Sequence, residues 1–216
     1  METARIAELL QPFFAGTNEG ALLSSAQLAE ISMYIDLLLR WNARINLTAV
    51  REPEEMVTRH FGESLFAARH LFPAPISGET RLFDIGSGAG FPGLPLKIWA
   101  PQLRVTLIES SQKKVAFLRE VIRALTLTNI NVFPGRAETL SDPADCVMLR
   151  AVERFESALP TATRLVAPDG RLALLIGENQ IEQASKLAPA LAWSEPLPIP
   201  LSSNRVLFVG TKVVST

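Results

Sequence analysis

Apolar residues recur at three- and four-residue steps in the first third of the chain, then in short unbroken runs. That change of rhythm divides the sequence. Leu28, Ile31, Ile35, Leu38 and Trp41 mark one face of a helix over residues 26–40, with Ser24 and Ser25 as candidate N-caps. A polar interlude over 42–48 follows. Pro53 then suits a first helical position, and Glu54 and Glu55 lie in the first turn, where the helix dipole favours anions. That helix is predicted to run to about Leu71. The Pro/Gly-containing stretch 73–78 reads as a linker. Residues 1–72 are thus expected to form a helical segment packed on the core, and 73–216 the core itself.

From Thr80 the pattern becomes strand–helix alternation. Strands are predicted at 81–85, 104–109, 129–133, 144–149, 170–176 and 205–209, and helices at 92–99, 112–125, 155–166 and 180–187. Continuously apolar strands between helices mean an α/β fold with a doubly wound, mostly parallel sheet. The last strand arrives without a preceding helix. It is expected to pair antiparallel with a strand in the Pro-rich stretch 196–200 at one edge.

The chain has 216 residues, 48% hydrophobic and 20% charged, which excludes wholesale disorder. A single cysteine, Cys146, excludes an internal disulfide framework and a cysteine-rich zinc site. Two histidines, His60 and His70, leave little room for a histidine metal centre, so no metal is expected. No apolar run approaches the roughly 20 residues of a membrane span and the start does not read as a secretory signal, so the expected compartment is the cytoplasm.

The formal net charge is -1, but it is unevenly distributed. Residues 97–123 set Lys97, Arg104, Lys113, Lys114, Arg119 and Arg123 against Glu109 and Glu120. Residues 1–39 set Arg5 against Glu2, Glu8, Glu19, Glu30 and Asp36. The positive stretch could serve nucleic acid or be a solvated helix face.

The strongest local signal is 84–93, Asp-Ile-Gly-Ser-Gly-Ala-Gly-Phe-Pro-Gly, which follows a strand and opens a helix. Ligands bind at such strand ends, and glycines let them approach the backbone. Two registers fit. Gly88, Gly90 and Gly93 satisfy the dinucleotide pattern G-x-G-x-x-G. Asp84, Gly86, Gly88 and Gly90 satisfy D-x-G-x-G-x-G, which resembles the first motif of class I S-adenosylmethionine-dependent methyltransferases. An acid at Asp84 favours a cationic methionine end and repels a pyrophosphate. Glu109, closing the second strand, can accept from ribose hydroxyls in either case. A nicotinamide oxidoreductase would usually need a proton donor beside its substrate. Here the one tyrosine, Tyr34, and both histidines lie in the front segment.

Taken together, the chain resembles the RsmG family, also called glucose-inhibited division protein B, of bacterial small-subunit ribosomal RNA (guanine-N7)-methyltransferases. The likeness runs through Leu39 to Asn42, Asn46 to Arg51, Arg59 and His60 with Glu63 to Leu65, the glycine loop through Leu96, and Glu109 and Ser110 to Lys114. It continues with Phe117 and Leu118, Arg136 to Glu138, and Arg150 to Val152. It departs where the family often has Asp (Glu63 here) and Ser (Leu149 here).

The resemblance implies S-adenosylmethionine as cofactor. Gly86 and Phe91 would contact it, and Ser87, Gly88 and Gly90 would shape the loop. Asp84 would lie at the strand end, Glu109 at the ribose, Ala137 and Glu138 at the adenine, and Arg150 beside the methionine end or the incoming guanine. Bland alternatives are an Arg150 salt bridge to Glu153 or Glu156, and a helix-terminal role for Glu138. The implied substrate is 16S ribosomal RNA, free or in the small subunit or an assembly intermediate. A non-catalytic RNA-binding factor is the remaining rival.

N7 of guanine carries its own lone pair, so no catalytic base is expected, and the rate should lack a steep ionisation near neutrality. Candidate RNA contacts are Arg44, Arg51, Lys113, Lys114, Arg119 and Arg123, with Arg40 and Arg59 as further cations. His60 is read as a satisfied core histidine, and Trp41 and Phe61 as packing residues.

Overall fold

The computed structural model describes residues 1–15, 23–73, 79–151 and 155–213. The predicted linker is therefore outside the described residues except for Pro73. Strands β1 (Arg81–Ile85), β2 (Arg104–Ile108), β3 (Ile130–Phe133), β4 (Ala144–Arg150), β5 (Val166–Gly177), β6 (Leu191–Trp193), β7 (Leu197–Pro198) and β8 (Arg205–Lys212) form one sheet in the order β3-β2-β1-β4-β5-β8-β6, with β7 also on β8. The β3-to-β5 pairings are parallel, and β5–β8 is antiparallel, with Leu174 opposite Phe208.

The strand order reverses between β1 and β4. That switch point opens a crevice at the strand tips. The Pro-rich stretch does pair antiparallel with the last strand, Leu197 opposite Leu207. The last strand is not the edge, however. β5 covers one side of β8, and β6 and β7 share the other. A three-residue strand such as β6 is too short for alternation to reveal.

The central strands β1, β2, β4 and β5 place alternate residues in cores on opposite faces of the sheet. Leu82, Val105, Leu107, Cys146, Met148, Ala173 and Leu175 join the core beneath the front helices. Phe83, Ile85, Val147, Leu149, Leu172 and Leu174 join the core beneath α7 (Phe155–Leu165) and α8 (Ile181–Leu187). The first of these cores also takes α5 (Gly93–Trp99) and α6 (Gln112–Ala124), whose Val121, Phe117 and Leu118 are buried.

The front segment holds α1 (Thr3–Leu10) and α2 (Ser25–Asn42). Helix α2 starts at a reciprocal cap. Ser24 Oγ accepts from the Gln27 N–H, and Gln27 Oε1 accepts from the Ser24 N–H at 2.8 Å. Gln27 Nε2 also donates to the Ile98 carbonyl at 2.7 Å, which pins α2 to the end of α5.

The helix expected from Pro53 to Leu71 is present but not uniform. It consists of α3 (Pro53–Glu55), a wide π-helical stretch Met56–Gly62, and α4 (Glu63–Leu71). The apolar stripe passes through unbroken, so the sequence gives no sign of the widening. Gly62 sits where an added Cβ would lie 2.3 Å from the Phe13 ring, so the front segment closes there only over glycine.

Candidate active site

The loop after β1 is built around three glycines with positive φ, Gly86 (71°), Gly88 (58°) and Gly90 (91°), in the left-handed region that glycine adopts without strain. The Gly86 and Ser87 N–H groups donate to the Ile108 carbonyl, and Ser87 Oγ donates to the Asp84 carbonyl at 2.8 Å. The loop therefore folds over the tip of β2.

Asp84 is fully buried under it. Its Oδ2 accepts from the Gly93 N–H at 3.0 Å, at the start of α5. Its Oδ1 is buried with no hydrogen-bond partner among the described residues. Burial pushes the carboxyl up to about 7, against the pull of the Gly93 N–H.

Glu109, just past the β2 tip, is fixed through both oxygens. Oε2 accepts from the Gly88 N–H at 3.0 Å and Oε1 from the Ser111 N–H at 2.7 Å. A carboxylate keeps further lone pairs for a ligand after two such bonds. Beside it opens a cleft of about 360 Å³ lined by residues of β1, β2, the turn after β3 and α7.

Four predicted cofactor residues line this cleft: Gly86, Glu109, Ala137 and Glu138. Asp84, Ser87, Gly88, Gly90, Phe91 and Arg150 are not among its lining residues; Ser87, Gly88 and Gly90 belong to the loop that follows Gly86. The sequence reading missed Ser110, Gly135, Arg136 and the α7 face of Ser157, Ala158 and Thr161. Gly135 and Arg136 belong to a Pro-Gly turn directly after a strand, which was a usable signal. The small residues of α7 gave a weaker one, their three-to-four-residue spacing. Glu138 is exposed in a short 3-10 turn (Ala137–Thr139), and its carbonyl accepts from Arg164.

Phe91 and Arg150 lie in a second cluster. The Phe91 ring, 5% exposed, stacks on Tyr34 (centroids 5.3 Å apart) and on His60 (4.7 Å), with Phe61 edge-on. The Tyr34 hydroxyl donates to the Ala89 carbonyl, so α2 grips the glycine loop directly. An added Cβ at Gly90 would meet that hydroxyl at 2.4 Å.

Arg150, at the end of β4, donates through Nη2 to Glu63 Oε2 at 3.0 Å, to the Arg59 carbonyl at 2.7 Å and to His60 Nδ1 at 3.2 Å. Its salt bridge is to Glu63, which also pairs with Arg205 of β8 at 3.1 Å. Glu156 instead accepts from Gln183, and Glu153 lies outside the described residues.

His60 is satisfied as expected. Arg150 donates to Nδ1, which leaves Nε2 to donate to Thr48 Oγ1 at 2.8 Å. Burial and then the neighbouring Arg150 cation lower its pKa to about 3, so the ring is neutral. Thr48 belongs to a loop that Asn42 organises. Asn42 Oδ1 accepts from the Leu47 and Thr48 N–H groups, and Nδ2 donates to the Thr48 carbonyl.

The candidate RNA residues divide. Lys113, Arg119 and Arg123 are exposed on α6, and Lys114 is half-buried. Arg44 is exposed. Arg51 braces its own loop through the Asn42 carbonyl and Asn46 Oδ1, both at 3.1 Å. Two charges of the positive stretch do not contribute to a free patch. Lys97 is buried, donating to the Pro101 and Leu103 carbonyls, and Arg104 pairs with Glu79 at 2.8 Å. Among the described residues no group of three or more His, Cys, Asp or Glu could hold a metal ion, and no helix is long and apolar enough to cross a membrane.

The fold recurs in solved structures. The chain is similar to magnesium protoporphyrin IX methyltransferase from Synechocystis PCC 6803 (TM-score 0.64, 14% identical, covering 91% of this chain and 100% of that one). It is also similar to a putative rRNA-methylase from Clostridium thermocellum (TM-score 0.54, 15% identical, covering 71% and 97%). The chain thus has the fold of class I, Rossmann-like methyltransferases.

Sequence comparison gives the family. The profile described as "GidB: rRNA small subunit methyltransferase G" matches residues 27–202. Proteins named ribosomal RNA small subunit methyltransferase G are similar along nearly the whole length. That of Chloroflexus aggregans is 39% identical over 210 residues (91% of this chain, 87% of that one), and that of Xanthomonas axonopodis pv. citri is 40% identical over 195 residues (88% and 89%). The chain belongs to the ribosomal RNA small subunit methyltransferase G family. Membership of a methyltransferase family decides between the two glycine registers and sets the nicotinamide alternative aside.

Proposed function

We propose that this protein transfers a methyl group from S-adenosylmethionine to N7 of a guanosine in 16S ribosomal RNA, in the cytoplasm. The residues at the strand tips suit the cofactor. Glu109 is pre-oriented to accept from ribose hydroxyls. The apolar walls of Ile85, Ile108, Ala137 and Ala158 suit an adenine ring. Asp84 Oδ1, buried and unpartnered, suits a cationic methionine end. When bound, S-adenosylmethionine supplies a methyl group already activated on a sulfonium.

The state of His60 carries the N7 reading. It is the histidine nearest the glycine loop, both ring nitrogens are engaged, and it is held neutral with its pKa near 3. Such a ring cannot take up a proton near pH 7. An acceptor that needs no deprotonation fits this environment, and N7 is one. What remains for the protein is alignment and exclusion of water. In this reading Arg150 positions the guanine, and Lys113, Lys114, Arg119, Arg123, Arg44 and Arg51 face the RNA.

The test is labelled methyl transfer onto small-subunit RNA from cells lacking this protein, followed by strand cleavage specific for 7-methylguanosine. Cleavage at one guanosine is expected. Label at another atom, or on no RNA, overturns the proposal. Comparing naked RNA, precursor particles and mature subunits as acceptors identifies the physiological partner.

A further inference from the structure

Where the end of α2 meets α6 there is a groove of about 290 Å³, lined by Arg40, Trp41, Arg44, Ile45 and Glu120. Three of its features bear on what it could bind. The first is Trp41. The other two tryptophans donate their indole N–H to carbonyls, Trp99 to Phe72 and Trp193 to Ala188, whereas Trp41 donates to nothing among the described residues. Its ring is half-buried and braced edge-on by Phe117, with centroids 5.7 Å apart, so it offers the groove a fixed aromatic wall.

The second is the pair of arginines. Arg5, Arg59, Arg104 and Arg150 all have carboxylate partners. Arg40 and Arg44, four residues apart and both exposed, have none among the described residues, and Arg40 Nε donates at 3.4 Å to the Asp36 carbonyl of its own helix. The third is Glu120. It is half-buried in the same groove and has no ion pair with either arginine and no hydrogen-bond donor among the described residues, so its carboxylate oxygens remain available as acceptors.

An aromatic face, two exposed guanidinium groups without carboxylate partners among the described residues and an open carboxylate match the three parts of an unpaired nucleotide. The ring stacks on the base, the arginines meet phosphates, and the carboxylate accepts from N–H donors on the base edge. Guanine, with adjacent N1–H and N2–H donors, suits a carboxylate best.

We propose that this groove is a subsite for an unpaired guanosine that flanks the methylated one in the RNA. The inference rests on the methyltransferase reading above and assigns Trp41, read from sequence as a packing residue, a stacking role. The path to the reaction centre is short in structural terms. Trp41 touches Phe117, Phe117 lies beside Tyr34, and Tyr34 stacks on Phe91 of the glycine loop. A nucleotide held in the groove would fix the register of the strand that enters the cleft.

The test uses the full chain and a short oligouridylate carrying one guanosine, with the same strand carrying inosine as comparison. Binding is read by fluorescence anisotropy over a range of salt. Methyl transfer to small-subunit RNA is measured in parallel. Wild type is expected to prefer guanosine over inosine, which lacks the 2-amino group, by about tenfold. Glu120→Gln should erase that preference. Trp41→Leu should weaken binding roughly tenfold, and Trp41→Phe should restore most of it, which a purely packing role would not predict for variants of equal thermal stability. Arg40→Ala with Arg44→Ala should reduce the slope of log affinity against log salt by about 1.4. Lys186→Ala, on α8, should change nothing.

If every groove variant binds and discriminates like wild type while methyl transfer persists, the subsite is wrong and the enzyme reading stands. If wild type neither transfers methyl to RNA nor binds either strand, the parent reading fails and takes the subsite with it.

Discussion

The Asp84 carboxyl accepts the backbone N–H of Gly93 at 3.0 Å, so the first turn of α5 already has an internal acceptor. A dinucleotide pyrophosphate would need that position for itself. The glycine that completes G-x-G-x-x-G here serves close packing, because a Cβ on Gly93 would lie 2.7 Å from Asp84 Oδ2 and 2.5 Å from Leu107. Gly93→Ala is therefore expected to destabilise the fold by about 1–3 kcal/mol and to weaken S-adenosylmethionine binding. NAD binding should be undetectable in both proteins. Denaturant unfolding and titration calorimetry read all three quantities.

Asp84 gives cofactor binding a pH dependence of definite sign. Its pKa is raised to about 7 in the fold. Between the unfolded value near 4 and 7, the folded protein holds an extra proton, and the resulting stabilisation is lost as pH rises through 7. A cationic ligand prefers the ionised carboxylate. Affinity for S-adenosylmethionine should therefore rise with pH up to about 7 and then level off. Asp84→Asn should bind more weakly and without this slope. The rate at saturating cofactor should lack it in both, as expected of a reaction without a catalytic base.

His60 acts in the opposite direction. Its folded pKa, about 3, lies below the unfolded value near 6.5. The unfolded chain takes up a proton that the fold refuses, so stability falls as pH drops from about 6.5 towards 3. In His60→Phe that part of the acid sensitivity should vanish. The variant should still be less stable at pH 7 by about 1–3 kcal/mol, because Arg150 and Thr48 each lose a partner. Chemical denaturation at several pH values separates the two effects.

Glu63 is buried between Arg150 and Arg205. Glu63→Leu leaves two guanidinium groups uncompensated and should cost about 3–5 kcal/mol. Glu63→Asp keeps the charge and should cost less. A melt of the two variants against wild type gives the order.

Two glycines of the loop should respond differently. A Cβ on Gly88 would meet nothing closer than the Gly86 carbonyl at 3.7 Å, so Gly88→Ala carries only the strain of a φ of 58° and should cost about 1–2 kcal/mol. A bulkier residue there is expected to block the cofactor and leave the fold largely intact. Gly90→Ala would collide with Leu94 at 2.3 Å and with the Tyr34 hydroxyl. Its melting temperature should fall well below that of Gly88→Ala.

The elements were legible where neighbours in sequence determine them. The stripe of α2, the parallel strands and the glycine loop follow from periodicity and from residues that tolerate few conformations. The place of Glu109 just past the tip of β2 was legible because an apolar run leads up to it and a helical pattern follows. What was hidden depends on distant partners. Arg150 reaches Glu63 across 87 positions, and no spacing rule connects them. The cleft face of α7 is set by how that helix lies on the sheet. Lys97 reads in sequence as one more charge of the positive stretch, whereas its ammonium is buried against the Pro101 and Leu103 carbonyls.

The pairing of Glu63 with Arg205 has a consequence for biosynthesis. The ribosome releases the front helices first, yet one counter-ion of their buried acid arrives only with the final strand. A nascent chain that stalls before β8 leaves this carboxylate half-neutralised and the flank of β5 bare. Interrupted translation should therefore yield fragments that quality-control proteases clear, instead of a truncated enzyme that lingers on its substrate.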